Sequence, residues 1–258
     1  MCRWLAYMGA PVAPEIFLYE EQYSLVEQSQ NARKSKSVVN GDGCGLGWYG
    51  DKATPGIFKD THPAWSDENL RSLASQIDSK LFMAHVRAAT GTPANRSNCH
   101  PFANDNYLFM HNGQISGYLQ IKRKLESLLP DSVYQHRIGS TDSEILFLYL
   151  IHLMENLNFT DAVEQLIFDV EAIMSTNDIE GPFRFTCAIS NGEWLKTVKY
   201  STDNFVPSLF YKKLDEGILI VSEPLNDEFS NWDAVPDNHL ALVQDYNSSP
   251  TIVQIGSR

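Results

Sequence analysis

Short apolar runs, separated by polar and turn-forming residues, mark out the elements of this chain. Residues 3–9 form an apolar run of strand length beside the N-terminus, and Pro14 is placed to open a short helix through Glu15, Ile16, Phe17 and Leu18. Residues 30–43 are polar, carry Arg33, Lys34 and Lys36, and predict a mobile loop. Ser66 stands where an N-cap would for a helix over 67–77, with acidic residues in its first turn, where the helix dipole favours them. Residues 81–87 and 107–111 are again apolar runs of strand length. Over 119–129, Ile121, Leu125, Leu128 and Leu129 share one face, so an amphipathic helix is expected. Thr141-Asp142-Ser143-Glu144 has the form of a capping box and opens a long apolar helix to about Asn156; Thr160 and Asp161 begin another, to about Met174.

Beyond residue 180 the pattern changes to strands. Residues 183–190 and 194–200 flank Asn191-Gly192, the strongest short hairpin signal, and 209–212, 217–222, 239–244 and 251–255 are further strand candidates. Strands, then helices, then strands predict an α+β fold of two sheets with helices outside. No repeat, low-complexity tract or linker interrupts the chain, so a single domain over residues 1–258 is expected.

Composition narrows the function classes. With 258 residues, 43% hydrophobic and 20% charged, the chain is long enough for a sizeable core and unlike a disordered protein. Its longest apolar stretch, 145–151, is far too short to span a bilayer. A net charge of −12 speaks against nucleic acid, whose phosphates it would repel. Pro11, Pro14 and Glu15 interrupt the apolar run that a secretory peptide would need, so no targeting signal is expected. The four cysteines, at 2, 44, 99 and 187, lie far apart and read as reduced thiols of a cytoplasmic protein with neither nucleic-acid nor membrane partners.

The candidate chemistry starts at Cys2. Removal of Met1 is expected beside so small a residue, and would place a thiol and a free α-amine on one residue. A thiol is the strongest ordinary side-chain nucleophile, and an α-amine with a pKa near ~7.7–8.0 is a usable base at neutral pH. An incidental terminal cysteine would look the same. Asn112-Gly113 follows the strand at 107–111; an Asn side-chain N–H and a Gly backbone N–H there can converge on one oxygen, as acyl transfer requires, although the dipeptide is also a simple turn signal. Arg87 ends the strand at 81–87, and a guanidinium can grip a carboxylate with two parallel hydrogen bonds. Asp142, in the first turn of its helix, is a helix-capping residue or the acceptor of an α-ammonium. His85, His100 and His111, with Cys44 and Cys99 nearby, show no metal-ligand spacing and read as packed, hydrogen-bonded supports of the site. Gly45-Leu46-Gly47-Trp48-Tyr49-Gly50 fits G-x-G-x-x-G, but the residues after it are no helix, so it is not a dinucleotide fingerprint. Within the loop expected over 40–49, its glycines let backbone approach the N-terminal residue.

The segments Met1-Cys2-Arg3-Trp4-Leu5, Asn40 to Tyr49, His85-Val86-Arg87-Ala88-Ala89-Thr90-Gly91-Thr92-Pro93 with Asn98-Cys99-His100-Pro101-Phe102, Met110-His111-Asn112-Gly113-Gln114-Ile115 and Gly139-Ser140-Thr141-Asp142-Ser143-Glu144 keep one order and spacing. Together they resemble the class II glutamine amidotransferase domain, an N-terminal-nucleophile hydrolase, in its compact single-domain branch often called YafJ-like. The resemblance implies a four-layer αββα sandwich of two mainly antiparallel sheets. It implies Cys2 as nucleophile, Asn112 and Gly113 as oxyanion hole, Arg87, Thr90 and Asp142 as the substrate head-group site, and no cofactor. Many relatives carry a bulkier residue after the arginine; here Ala88 stands there, and the segment 88–95 is expected to close over substrate. The implied activity is cleavage of the side-chain amide of glutamine or a γ-glutamyl amide through a Cys2 thioester. The alternatives are an ammonia-supplying subunit of a separate synthase and a catalytically silent binding module. A separate synthase or peptidase subunit and a homo-oligomer are both compatible with these residues.

Overall fold

The computed structural model describes residues 2–34, 38–89, 91 and 93–256; the expectations attached to Met1, Lys36 and Thr90 fall outside the described residues. The chain runs β1 (Arg3–Val12), a π-helical turn (Ile16–Glu20), α1 (Leu25–Gln30), β2 (Cys44–Trp48), β3 (Gly56–Asp60), α2 (Glu68–Gln76) and β4 (Ser79–Val86). It continues through β5 (Phe102–Asn104), β6 (Tyr107–Ile115), α3 (Tyr118–Glu126), α4 (Asp131–Tyr134), α5 (Asp142–Met154) and α6 (Phe159–Thr176). The last part is β7 (Phe183–Ser190), β8 (Leu195–Ser201), β9 (Phe210–Leu214), β10 (Gly217–Val221), β11 (Asp233–Ala234), β12 (His239–Val243) and β13 (Thr251–Gln254). Among the described residues the strands form two antiparallel sheets, ordered β11-β9-β10-β1-β4-β2-β3 and β13-β12-β8-β7-β6-β5.

Side-chain alternation along the strands explains the layers. In β1, Trp4, Ala6 and Met8 point between the sheets and meet Met83, Leu108, Met110 and Ala188. Leu5 and Tyr7 point the other way, where Phe17, Leu18, Leu25, Leu70 and Ala74 cover them. The second sheet turns Phe109, Phe185 and Cys187 toward α3, α5 and α6. Both faces of both central strands are therefore buried, which is why their sequence shows continuous apolar runs instead of alternation. The result is the four-layer αββα sandwich. Helix α5 lies deep in one outer layer, and every residue from Ser143 to Leu150 is buried.

Several local expectations need correction. The N-cap of α2 is Asp67, whose carboxylate accepts the Leu70 N–H at 3.0 Å; Ser66 only ends the preceding turn. The loop expected over 40–49 contains strand β2. Its glycines serve a crossing of a different segment from the one expected: a Cβ on Gly45 would lie 2.2 Å from the His100 carbonyl oxygen, and one on Gly47 2.9 Å from Leu108. In the polar stretch 30–43 the described ends are tied down, by Asn40 N–H to the Ser29 carbonyl at 2.7 Å and Ala32 N–H to the Val38 carbonyl at 2.9 Å. Asn112-Gly113 is neither a turn nor a strand end. Strand β6 runs through both residues, in register with Thr186 and Phe185 of β7.

Candidate active site

Strand register delivers the first two candidate residues. Arg3 pairs with Val86 between β1 and β4, so one further step sets Cys2 opposite Arg87. Period two puts the Cys2 side chain on the inter-sheet face with Trp4. The Cys2 Sγ donates to the Ala88 carbonyl at 3.6 Å, and the Ala88 N–H points back at the sulfur at 3.4 Å. Ala88, small and buried, therefore seats the thiol directly. Asp42 holds the next residue, accepting the Ala89 N–H at 2.7 Å.

Strand β6 supplies the second pair. β5 pairs with Tyr107–Phe109, and beyond that point one edge of β6 has no strand partner among the described residues. The Ile115 N–H leaves from this edge and is taken by Asp142 Oδ2 at 3.0 Å. Alternation then aims the Gly113 N–H from the same edge. Asn112 lies on the inter-sheet face with Leu108 and Met110, is 1% exposed, and neither its Oδ1 nor its Nδ2 has a hydrogen-bond partner among the described residues. A buried amide without a partner is costly, about 1–3 kcal/mol per group, and is expected where a ligand atom completes the set. Gly113 cannot be larger: a Cβ there would lie 2.0 Å from the Arg184 carbonyl oxygen and 2.5 Å from His111 Nε2.

Cys2, Arg87, His100, His111, Gly113 and Asp142 all line one cavity of about 440 Å³; Asn112, between two of these residues in the chain, is not itself among the lining residues. Asp142 Oδ1 accepts the Ser143 N–H at 2.8 Å and lies 3.4 Å from Ser143 Oγ, while Oδ2 takes the Ile115 N–H, so lone pairs remain for another donor. Arg87 is buried and its Nη1 donates to the Pro93 carbonyl at 3.3 Å. The capping box at Thr141 is half as expected. Thr141 Oγ1 accepts the Glu144 N–H at 3.2 Å, but Glu144 reaches past Thr141 to accept the Ile138 and Gly139 N–H groups at 2.9 and 2.7 Å.

The three histidines divide. His111 Nε2 donates to the Arg184 carbonyl at 3.2 Å, which leaves Nδ1 to accept from Ser143 Oγ at 2.9 Å in the neutral ring. Burial lowers its pKa while Asp142 pulls it back up. His85 and His100 pack at 4.3 Å between centroids with their rings tilted by 31°, and none of their ring nitrogens has a partner among the described residues. They are packed but not hydrogen-bonded, against expectation, and His85 does not line the cavity. Burial pushes His85 down to about 3 and His100 well below the ordinary imidazole value, so both are uncharged. Among the described residues no group of three or more His, Cys, Asp or Glu side chains could hold a metal ion. Residues without a sequence-based role also shape the site. Asn98 sits inside a quoted motif, but only the structure shows that it bridges Pro93 and Ser140. Tyr118, whose OH donates to the Ser140 carbonyl at 2.8 Å, had no sequence signal at all.

The sequence profile described as "Glutamine amidotransferases class-II" matches residues 20–209 of this chain. The chain belongs to that family. Membership makes it an enzyme and sets aside the silent binding module. A relative, "Probable glutamine amidotransferase DUG3" of Saccharomyces cerevisiae, is 29% identical over an alignment covering 95% of this chain and 82% of the relative. A "Gamma-glutamyl-hercynylcysteine sulfoxide hydrolase" of Mycolicibacterium smegmatis is 26% identical, covering 95% and 96%. Among solved structures, a glutamine aminotransferase class-II domain protein from Silicibacter pomeroyi superposes with a TM-score of 0.77 at 29% identity, over 99% of this chain and 100% of the other.

Proposed function

We propose that this class II amidotransferase cleaves the side-chain amide of glutamine or of a γ-glutamyl amide, with Cys2 as nucleophile. The observation that carries the reading is convergence: a thiol, a buried guanidinium, a carboxylate and the Gly113 N–H edge meet at one cavity, close in sequence to an Asn112 amide without a partner among the described residues. Arg87 would hold the α-carboxylate and Asp142 the α-ammonium, so that opposite charges read both ends of a free amino-acid head group. Cys2 Sγ attacks the amide carbon, and the Cys2 α-amine takes the thiol proton. The tetrahedral oxyanion is met by Asn112 Nδ2 and Gly113 N–H. The C–N bond then breaks as the ammonium returns the proton to the leaving nitrogen. Water attacks the γ-glutamyl thioester, glutamate leaves, and the thiol is restored.

The reading requires Cys2 to carry a free α-amine, because an amide nitrogen bonded to Met1 is no base. The test pairs mass spectrometry of the N-terminus with glutamate release from glutamine and a panel of γ-glutamyl amides. Activity is expected only in protein that begins at Cys2, and Cys2→Ser should lose most of it. Full turnover by protein that retains Met1 would overturn the mechanism.

A further inference from the structure

Arg3 occupies the face of β1 opposite Trp4, and its side chain is fully buried. Its Nε donates to the Cys2 carbonyl at 2.7 Å; its Nη1 donates to the Ser222 carbonyl at 3.3 Å and meets Glu223 Oε2 at 3.5 Å. Glu223 is itself buried, and its carboxylate accepts the Arg33 N–H at 2.9 and 3.2 Å and the Lys34 N–H at 2.9 Å. The peptide carbonyl of the candidate nucleophile is thus fixed by a charge-assisted hydrogen bond from a guanidinium that is anchored on the far side by a carboxylate. Backbone bond lengths keep the Cys2 α-nitrogen within about 4 Å of its own carbonyl oxygen, and so within about 7 Å of Arg3 Nε. A buried cation at that distance opposes a second positive charge on the nitrogen.

We propose that Arg3 is a positioning residue for Cys2 that also favours the unprotonated form of its α-amine, with Glu223 setting how much of the Arg3 charge the amine feels. The inference rests on the reading that this amine is the base. An ammonium cannot accept the thiol proton, so an amine that stays neutral a little further into acid keeps the enzyme working there. The other groups around Cys2 act in both directions. Arg87, on the segment after β4, is a cation engaged with Pro93, while Asp142 on α5 and Asp42 before β2 are anions that oppose it. His85 on β4, His100 before β5 and His111 on β6 are held neutral by burial, and burial likewise raises the Cys99 thiol. All of these stay in place when only Arg3 or Glu223 is changed.

The experiment measures kcat/KM for glutamate release against pH in protein beginning at Cys2. In parallel, the pH dependence of Cys2 alkylation by iodoacetamide is followed, which needs no turnover. Arg3→Met should move the acid limb upward by about half a pH unit or more, and Glu223→Gln should move it downward, because removal of the anion uncovers the cation. Arg3→Lys should leave the limb near its original position even if the rate falls. A purely structural role predicts lower rates with an unmoved limb, or both variants shifted alike; either result overturns the proposal. If Arg3→Met fails to fold, Glu223→Gln decides alone, and an unchanged or raised limb overturns it. An active Cys2→Ser variant would instead strike at the underlying reading of Cys2 and leave Arg3 without a base to act on.

Discussion

Asn98 and Ser140 are joined in both directions: Asn98 Oδ1 accepts the Ser140 N–H at 2.8 Å, and Asn98 Nδ2 donates to Ser140 Oγ at 3.1 Å. The same Nδ2 donates to the Pro93 carbonyl at 3.0 Å, the oxygen that Arg87 Nη1 also reaches. One fully buried amide therefore sets the spacing between the stretch after Arg87 and the turn before Asp142. Asn98→Ala leaves buried partners unsatisfied at about 1–3 kcal/mol each, so a loss of about 2–4 kcal/mol in urea unfolding is expected. KM should rise more than kcat falls, because the two ends of the proposed head-group site lose their common reference. Wild-type KM in the folded variant would show that the clip does not define the site.

Chemistry and binding should separate on the two sides of the cavity. Asn112→Ala should lower kcat by roughly 10²–10³-fold with little change in KM, the usual effect of losing one oxyanion donor. Asp142→Asn keeps an oxygen for the Ile115 N–H but loses the acceptor for the Ser143 N–H and gives up the charge, so it should raise KM at some cost in stability. Arg87→Ala should act in the same direction. Steady-state kinetics on all three decides the assignment. Unchanged turnover in Asn112→Ala would remove Asn112 from it.

The sequence made the β1–β4 core, α5, α6 and the β7–β8 hairpin readable, because each is long and carries its own cap, turn or apolar run. Strand β2 was hidden because glycines at 45 and 47 contribute no hydrophobic signal; the close approach of His100 requires the first and that of Leu108 the second, both remote in sequence. The Asn112-Gly113 dipeptide misled for a related reason. Local turn preference is overridden where β7 continues the ladder through Ile115. Most candidate site residues could be named in advance because they sit in ordered motifs. What joins them, Asn98 to Ser140 and Arg3 to Glu223, spans 42 and 220 positions and leaves no local pattern.

The buried histidines predict how stability responds to acid. Burial lowers the pKa of His85, His100 and His111, with His85 at about 3. In the unfolded chain each titrates near about 6.5. Between those values the unfolded chain binds protons that the folded chain does not. The unfolding free energy is therefore fully present above about pH 6.5 and falls as pH drops, with a slope of up to about one proton per ring. For His85 the loss continues until about pH 3. His85→Phe keeps a ring against His100 and should reduce the slope by about one proton between roughly pH 6 and 5, above the range in which most carboxylates titrate. Urea unfolding across that window measures it. An unchanged slope would mean that His85 is already charged when folded.

Substrate choice depends on what lies beyond the scissile nitrogen. The cavity that holds Cys2 and Asp142 is also lined by Ser116, Gly117, Tyr118, Leu119 and Gln120, a wall larger than the head-group contacts need. Leu119 lines it while 71% exposed, in the first turn of a helix whose Tyr118, Ile121 and Leu125 are buried. An apolar side chain there has solvent on one side and, in this reading, the leaving group of a γ-glutamyl amide on the other. Contacts to a leaving group add transition-state binding that free glutamine, which releases only ammonia, cannot use. Leu119→Ser should then lower kcat/KM for bulky γ-glutamyl amides by about 3–10-fold and leave that for glutamine near its original value. Equal losses on both substrates would place the leaving group elsewhere. Glutamine as the best substrate of the isolated chain, at ordinary enzyme rates, would make it a plain glutaminase. Slow turnover of every substrate, sped up by an added protein, would favour the ammonia-supplying subunit.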